Sequence, residues 1–439
     1  MDFGRISPSE ISVYIKDLQN GNILENHRAE ASMQPASTMK LVTTFAALKH
    51  LGADYRWQTL FKSPAAVQNG ELNGDIYWVG SGDPVFDQKD LIDMQNQMRY
   101  KSIRKISGQL VFDDSIWSST GSADNFERDA EEAFTTPPSP HMLAYKVIWI
   151  TPQQTPDGQI TFGTSPPLPE IPQSINVQPA ADDSGSCPSL KRYIRADYRS
   201  GSLNISGKLP ASCVGESLFI NLFDIDEFAA RSFINQWRSN NNTIAAGFRH
   251  ADTPSQAQTL ATHYSPPLSQ IVRDMNKNSN NLIARTLLLT LGSQNGHQQT
   301  AQNGQEAVRQ QLAASGIDTR ELSLENGSGL SRSERASARM MGEMLEKAYH
   351  APFKQAFIDS LPIGGMDGTL KHRFSNSAGQ LHLKTGTLDN VRALSGYWLP
   401  QNPAAHPLAI SIIINSPKAT AYLPDLDKLV NQITSQYGQ

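Results

Sequence analysis

Long apolar runs are missing from this chain of 439 residues. The longest, such as Leu408 to Ile414 interrupted by Ser411, fall well short of the ~20 residues that a membrane-spanning helix needs. An excess of one charge is missing too. Lys and Arg number 38 against 42 Asp and Glu, a net of −4 with no long basic run, so nucleic acid is not an expected partner. The N-terminal Met1-Asp2-Phe3-Gly4-Arg5 has no charged segment leading into an apolar core. No signal peptide is therefore expected, and the chain reads either as cytosolic or as a mature form carrying a start methionine. No repeat of fixed period is visible, and neither a metal nor a cofactor is expected.

Cysteine is nearly absent. Cys187 and Cys213 both lie in a stretch rich in Gly, Ser, Pro and charge, where a buried free thiol would be out of place. A disulfide between them is the expectation, with two unpaired thiols in a cytosolic protein as the alternative. Closing that loop adds about 3 kcal/mol on the chain-entropy model. It also implies an oxidising compartment such as the periplasm.

What is present is enough chain for about two to four domains and a sizeable core. Ile11 to Asp17 alternates apolar and polar, Gly21-Asn22 marks a turn, and Ile23-Leu24 starts a return strand, a β-hairpin pattern. Near the other end, Leu381 to Lys384, Arg392 to Leu399 and Leu408 to Asn415 read as strands, and Pro424 to Ile433 as a closing helix. Two β-rich ends with helices between them predict an antiparallel sheet built from both termini and flanked by helices, an α+β fold. The catalytic domain is then discontinuous, 1–58 with 258–439, and 59–257 is an inserted region of one or two small β-rich domains. In that region Asp75 to Val79, Gln109 to Phe112, Val147 to Ile150 and Leu218 to Leu222 read as strands, Leu91 to Met98 and Asp226 to Trp237 as helices. Gly163 to Gln178, with Pro166, Pro167, Pro169 and Pro172, reads as an extended surface segment or linker. Beyond it, the polar run Asn276 to Asn281 separates two apolar-periodic helices, Leu268 to Met275 and Leu282 to Leu291. Amphipathic helices follow at Gln305 to Ala314 and Glu334 to Ala348.

Three short features bear on chemistry. In Pro35-Ala36-Ser37-Thr38-Met39-Lys40 a serine and a lysine stand three apart at the start of an apolar helix, so both lie on one helical face and the amine can reach the hydroxyl. The second is Ser279-Asn280-Asn281 in the polar break, and the third is Lys384-Thr385-Gly386-Thr387 at a strand end. Singly they read as a helix start, a solvated loop and a turn glycine. Their order, with the first opening a helix and the last on a strand, is much rarer than any one of them.

In that order the motifs resemble the active-site-serine penicillin-recognising enzymes, most closely the class C low-molecular-mass penicillin-binding proteins, the type-4 D-alanyl-D-alanine carboxypeptidase/endopeptidase group. Gly80 to Pro84, Ser107 to Ser115, Asn326 to Ser331 and Gly365 to Leu370 are similar to the same group, with Asn326 where the family often has Asp. The resemblance implies a penicillin-recognising serine transpeptidase-like domain in which Ser37 is the acylated nucleophile and Lys40 its general base. It implies that Ser279 relays protons, Asn281 holds the substrate amide, and Lys384, Thr385, Gly386 and Thr387 take the substrate's terminal carboxylate, with Ser37 and Thr387 N–H groups as the oxyanion hole. The expected partners are peptidoglycan stem peptides and β-lactams, in the periplasm or another exported compartment. The alternatives are a β-lactamase, against which the long interval between Ser37 and Ser279 speaks, and a non-catalytic peptidoglycan-binding module. In the acidic stretch 129–132, Asp129 is a candidate for reading a diaminopimelate ammonium, against the plainer reading of a solvated surface. A lysine titrates near 10.4, so a useful base at neutral pH needs about 4 kcal/mol of differential interaction, which burial beside a second cation such as Lys384 supplies.

Overall fold

The computed structural model describes residues 1–120, 136–180 and 185–437. Its chain forms two compact units. The first holds Met1–Arg56 and Pro266–Gln439 with a short segment that begins at Ile116; the second holds Trp57–Ser115 and the later chain up to Ser265. Ser118 ties that short segment into the first unit, its N–H donating to Thr300 Oγ1 at 2.9 Å and its hydroxyl to the His297 carbonyl at 2.6 Å.

The first unit is built on an antiparallel sheet of five strands in the order Leu381–Leu388, Val391–Trp398, Leu408–Asn415, Ile11–Asp17, Ile23–His27. The two chain ends meet in its middle, where Ile11 pairs with Ile414 and Asp17 with Leu408. Leu408–Asn415 is buried on both faces through Ile414, so its sequence is a continuous apolar run rather than an alternation. One face carries Ile11, Val13, Ile15, Leu383, Ile410 and Ile412 against Leu426, Leu429, Val430 and Ile433 of the C-terminal helix Leu423–Tyr437. The other face carries Tyr14 and Ile413 toward the helix Ala338–Tyr349. There Gly342 is required, since a Cβ would stand 2.2 Å from the Tyr14 ring, and Tyr397 donates its hydroxyl to the Leu345 carbonyl at 2.7 Å.

A helical cluster forms around Met39–Leu51, which is preceded by a 3-10 turn at Ala36–Thr38. Nearly all of Met39 to Leu48 is buried, including Thr43 and Thr44, so the helix is central rather than amphipathic. Its buried polar groups are matched: Asn276 bridges Thr44 Oγ1 at 3.0 Å and Ser360 Oγ at 2.9 Å, and Thr43 donates to the Gly327 carbonyl at 2.7 Å. Leaving such groups unmatched would cost about 1–3 kcal/mol each.

The second unit has its own core, in which Phe61, Trp78, Phe112, Phe233 and Trp237 pack together. Its main sheet runs Phe248–His250, Leu110–Asp113, Ile76–Val79, Gln58–Ser63, Gln258–Tyr264, and three smaller sheets accompany it among the described residues. Helices Gln88–Tyr100 and Ile225–Ser239 begin on Asp87 and Asp224, whose carboxylates accept helix N–H groups. Cys187 and Cys213 are joined by a disulfide.

Three local expectations are corrected. The prolines of Gly163 to Gln178 do occupy a connection, but Gln173–Ala180 is a strand that pairs in parallel with Ser202–Pro210 at a sheet edge, a place where a strand tolerates poor β-formers. The polar break is shorter than its six residues, because helix Leu268–Asn278 runs on until Ser279 and helix Asn281–Ser293 starts directly after the N-cap Asn280. The helix expected from Glu334 begins at Ala338, capped by the Ser337 hydroxyl. Glu334 instead lies buried in the preceding loop.

Candidate active site

Ser37 sits in the 3-10 turn and Lys40 in the first turn of the helix that continues it, so the three-residue spacing puts Lys40 Nζ 3.0 Å from Ser37 Oγ. The same nitrogen donates to Asn281 Oδ1 at 2.6 Å and to the Ser328 carbonyl at 2.5 Å. Lys40 is wholly buried. Burial, helped by the nearby Lys384 cation and opposed by Glu334, holds its pKa well below the ordinary lysine range.

Lys384 is also wholly buried, and burial lowers its pKa to about 7. Its amine donates to Ser279 Oγ at 3.0 Å and to the Thr385 carbonyl at 2.8 Å. Ser279 reaches it from the junction of two helices, with φ +55° in the left-handed region. A non-glycine residue is uncommon there, and such backbone clusters at functional sites. The turn it makes sends one helix away after Asn278 and starts the next at Asn281, which is how one short motif serves both lysines.

Two glycines bring backbones together here. A Cβ on Gly386 would lie 2.6 Å from the Pro35 carbonyl, so only glycine lets the strand Leu381–Leu388 lie against the serine turn. A Cβ on Gly329 would lie 2.0 Å from the Ala36 carbonyl, and φ at Gly329 is +80°. Thr385 is part-exposed and donates to Thr369 Oγ1 at 2.8 Å, while Thr387 is exposed. Ser37 and Asn281 are thus hydrogen-bonded to Lys40, Ser279 and the Thr385 carbonyl to Lys384, and the short motif Ser279-Asn280-Asn281 contributes to both sets. Asp129 lies outside the described residues.

A family model described as D-Ala-D-Ala carboxypeptidase 3 (S13) matches residues 1–437. The chain belongs to that family. It is a serine-type D-Ala-D-Ala carboxypeptidase, with the penicillin-recognising fold. A D-alanyl-D-alanine carboxypeptidase of Actinomadura sp. (strain R39) is 29% identical, over 97% of this chain and 81% of its own. The D-alanyl-D-alanine carboxypeptidase DacB of Haemophilus influenzae is 27% identical, over 89% of this chain and 82% of its own. Among solved structures, penicillin binding protein 4 (dacB) from Haemophilus influenzae superposes with a TM-score of 0.75 at 24% identity, over 96% of each chain. A predatory peptidoglycan endopeptidase from Bdellovibrio bacteriovorus shares the fold at a TM-score of 0.56 and 17% identity, over 97% of this chain and 92% of that one.

The S13 chain also uses residues that the sequence did not single out. Ser328 supplies its carbonyl to Lys40, and Glu334 holds the loop in which Ser328 lies. The signal for Glu334 was ambiguous, because Ser331-Arg332-Ser333-Glu334 has the spacing of a helix-capping pair. Ser331 Oγ does accept the Glu334 N–H at 3.2 Å, but the carboxylate turns into the loop instead of starting a helix. Asn326, at the position where the family often has Asp, accepts from the Ser328 N–H at 3.0 Å and the Ser328 hydroxyl at 2.6 Å and donates to the Leu330 carbonyl at 3.0 Å.

Proposed function

We propose that this enzyme cleaves the bond between two D-alanines in peptidoglycan stem peptides, and D-alanyl cross-links, through an ester on Ser37, and that β-lactams acylate the same oxygen. One observation carries the assignment of roles. A neutral amine has two N–H donors and one lone pair, and two of the three partners of Lys40, Asn281 Oδ1 and the Ser328 carbonyl, are acceptors only. They take both N–H groups. The lone pair is left facing the Ser37 hydroxyl at 3.0 Å, the arrangement of a general base on its nucleophile.

The chemistry follows from that direction. Ser37 Oγ attacks the carbonyl carbon as its proton passes to Lys40, and the oxyanion is received by the N–H groups of Ser37 and Thr387. Leu381–Leu388 is the edge strand of its sheet; on its outer side the Leu383 N–H donates to the Pro362 carbonyl, and Thr387 lies exposed farther along the same edge. Each N–H group that receives the oxyanion is worth roughly 3 kcal/mol at the transition state. The proton returns to the leaving amine through Ser279, which the Lys384 amine holds in place. Lys384, Thr385 and Thr387 receive the terminal carboxylate, for which a cation flanked by two hydroxyls is a fitting partner. Water then hydrolyses the ester and frees Ser37.

Peptidoglycan as the substrate and an exported compartment belong to the same reading, and the disulfide of Cys187 with Cys213 favours an oxidising one. No helix among the described residues is long and apolar enough to cross a membrane. Mass spectrometry of the intact protein after exposure to a penicillin, followed by peptide mapping, tests the proposal. The expected result is a stable adduct on Ser37, release of D-alanine from a pentapeptide ending in D-Ala-D-Ala, and loss of both in Ser37→Ala. An adduct elsewhere would refute the assignment, and fast turnover without an adduct would mark a β-lactamase.

A further inference from the structure

Glu334 is a fully buried carboxylate that the chemistry above does not use. Its Oε1 accepts the N–H groups of Glu325 at 3.1 Å, Asn326 at 3.0 Å and Gly327 at 2.8 Å, and its Oε2 accepts that of Gly329 at 2.8 Å. Four N–H donors on the two oxygens, three of them on Oε1, stabilise the ionised form. Burial raises the pKa of Glu334, and these four bonds oppose that rise. The peptide unit they frame is Ser328, whose carbonyl meets Lys40 Nζ at 2.5 Å. From the far side, Thr43 of the serine helix donates to the Gly327 carbonyl at 2.7 Å.

We propose that Glu334 is a positioning residue for acylation: by gathering the N–H groups of the loop 325–329 it fixes the Ser328 carbonyl that occupies one Lys40 N–H, and so aims the Lys40 lone pair at Ser37. The inference rests on Lys40 acting as the base. Without the carbonyl in place, the amine is free to turn another N–H toward Ser37, and the hydroxyl loses its acceptor. Misplacement of a reacting group by about 1 Å is enough to cost on the order of 100-fold in rate. The charge acts as well. The charged groups that bear on Lys40 are Lys384, on the strand, which lowers its pKa, and Glu334, behind the loop, which raises it.

The test measures the acylation rate constant and the dissociation constant for a fluorescent penicillin across pH, in the wild type, Glu334→Gln and Thr43→Val. Adduct formation on Ser37 in the wild type and its loss in Lys40→Met establish the reading on which the inference rests, independently of either loop variant. Gln matches Glu in size but sets an NH₂ group against one of the N–H donors. Glu334→Gln is expected to slow acylation on the order of 10- to 100-fold with the dissociation constant little changed, and to move the acid limb of the profile to lower pH because a negative charge beside the base is gone. Thr43→Val loosens the same loop without touching a charge, so it is expected to slow acylation and leave the limb in place. Unchanged acylation in a folded Glu334→Gln overturns the proposal, as does a slower rate with an unmoved acid limb, which is what a merely structural role gives. Should Glu334→Gln fail to fold, a wild-type acylation rate in Thr43→Val overturns it.

Discussion

In the first unit two lysines are buried within the helix and sheet that frame the serine, whereas in the second unit the most completely buried titratable side chain among the described residues is His141. Burial acts on all three in the same direction, taking Lys384 to about 7 and His141 to about 4. Their partners differ. His141 Nε2 meets the Trp78 carbonyl at 3.0 Å, and the ring packs 4.5 Å from the centre of Phe112. A neutral imidazole held in that way is a packing element with its N–H already engaged. Lys40 has two acceptor oxygens and one hydroxyl around it, so the same desolvation leaves a lone pair facing the Ser37 hydroxyl. Desolvation alone makes a group neutral, and the third partner decides whether neutrality is useful.

The largest effect that could break this contrast is expected from Lys40→Met, which keeps the bulk and removes the proposed base. Acylation by a fluorescent penicillin should fall by ~10³-fold or more with the thermal transition preserved. A loss smaller than about tenfold would make Lys40, like His141, a packing element. Next comes the disulfide. Replacing Cys187 and Cys213 by serine should lower the stability of the second unit by about 3 kcal/mol in denaturant titrations, with acylation by penicillin kept. Acylation that fell together with stability would erase the distinction between the two regions.

His141 gives a smaller effect with a defined sign. Its pKa is about 4 when folded against an ordinary 6.5, so between those values the unfolded chain binds a proton that the folded chain does not. Stability is therefore full above the upper value and falls as the pH is lowered through the window, by at most roughly 3 kcal/mol. Urea midpoints measured above and within the window should converge on each other in His141→Leu, and an unchanged pH slope in that variant would show that His141 is not the group responsible. The smallest effect is expected at the rim, where Thr369→Val removes the acceptor of the Thr385 hydroxyl. Steady-state kinetics on a D-Ala-D-Ala peptide should show KM raised about two- to tenfold and kcat nearly unchanged, the size of one hydrogen bond. A fall in kcat instead would put Thr369 among the groups that act in the transition state.

Much of the molecule was legible in the chain because its signals are local. The alternation over Ile11 to Asp17 and the apolar run Leu408 to Asn415 announce strands of a sheet, and the helix after Ser37 follows from its apolar content. The three-residue spacing alone is enough to put Lys40 beside Ser37, since one turn of a helix does so wherever it lies. The order of Ser37-x-x-Lys40, Ser279-x-Asn281 and Lys384-Thr385-Gly386 announced the family. Other features depend on partners distant in sequence, and only the tertiary structure decided them. Ser279 takes a left-handed backbone because the two helices must part where Lys384 stands. Gln173–Ala180 becomes a strand because Ser202–Pro210 offers it an edge. Glu334 has the spacing of a helix cap but turns inward, because four N–H groups of a folded loop offer a carboxylate more than one helix start can. Spacing along the chain fixes which side chains share a face, while burial and the partners met across space set which of them is neutral and where its lone pair points.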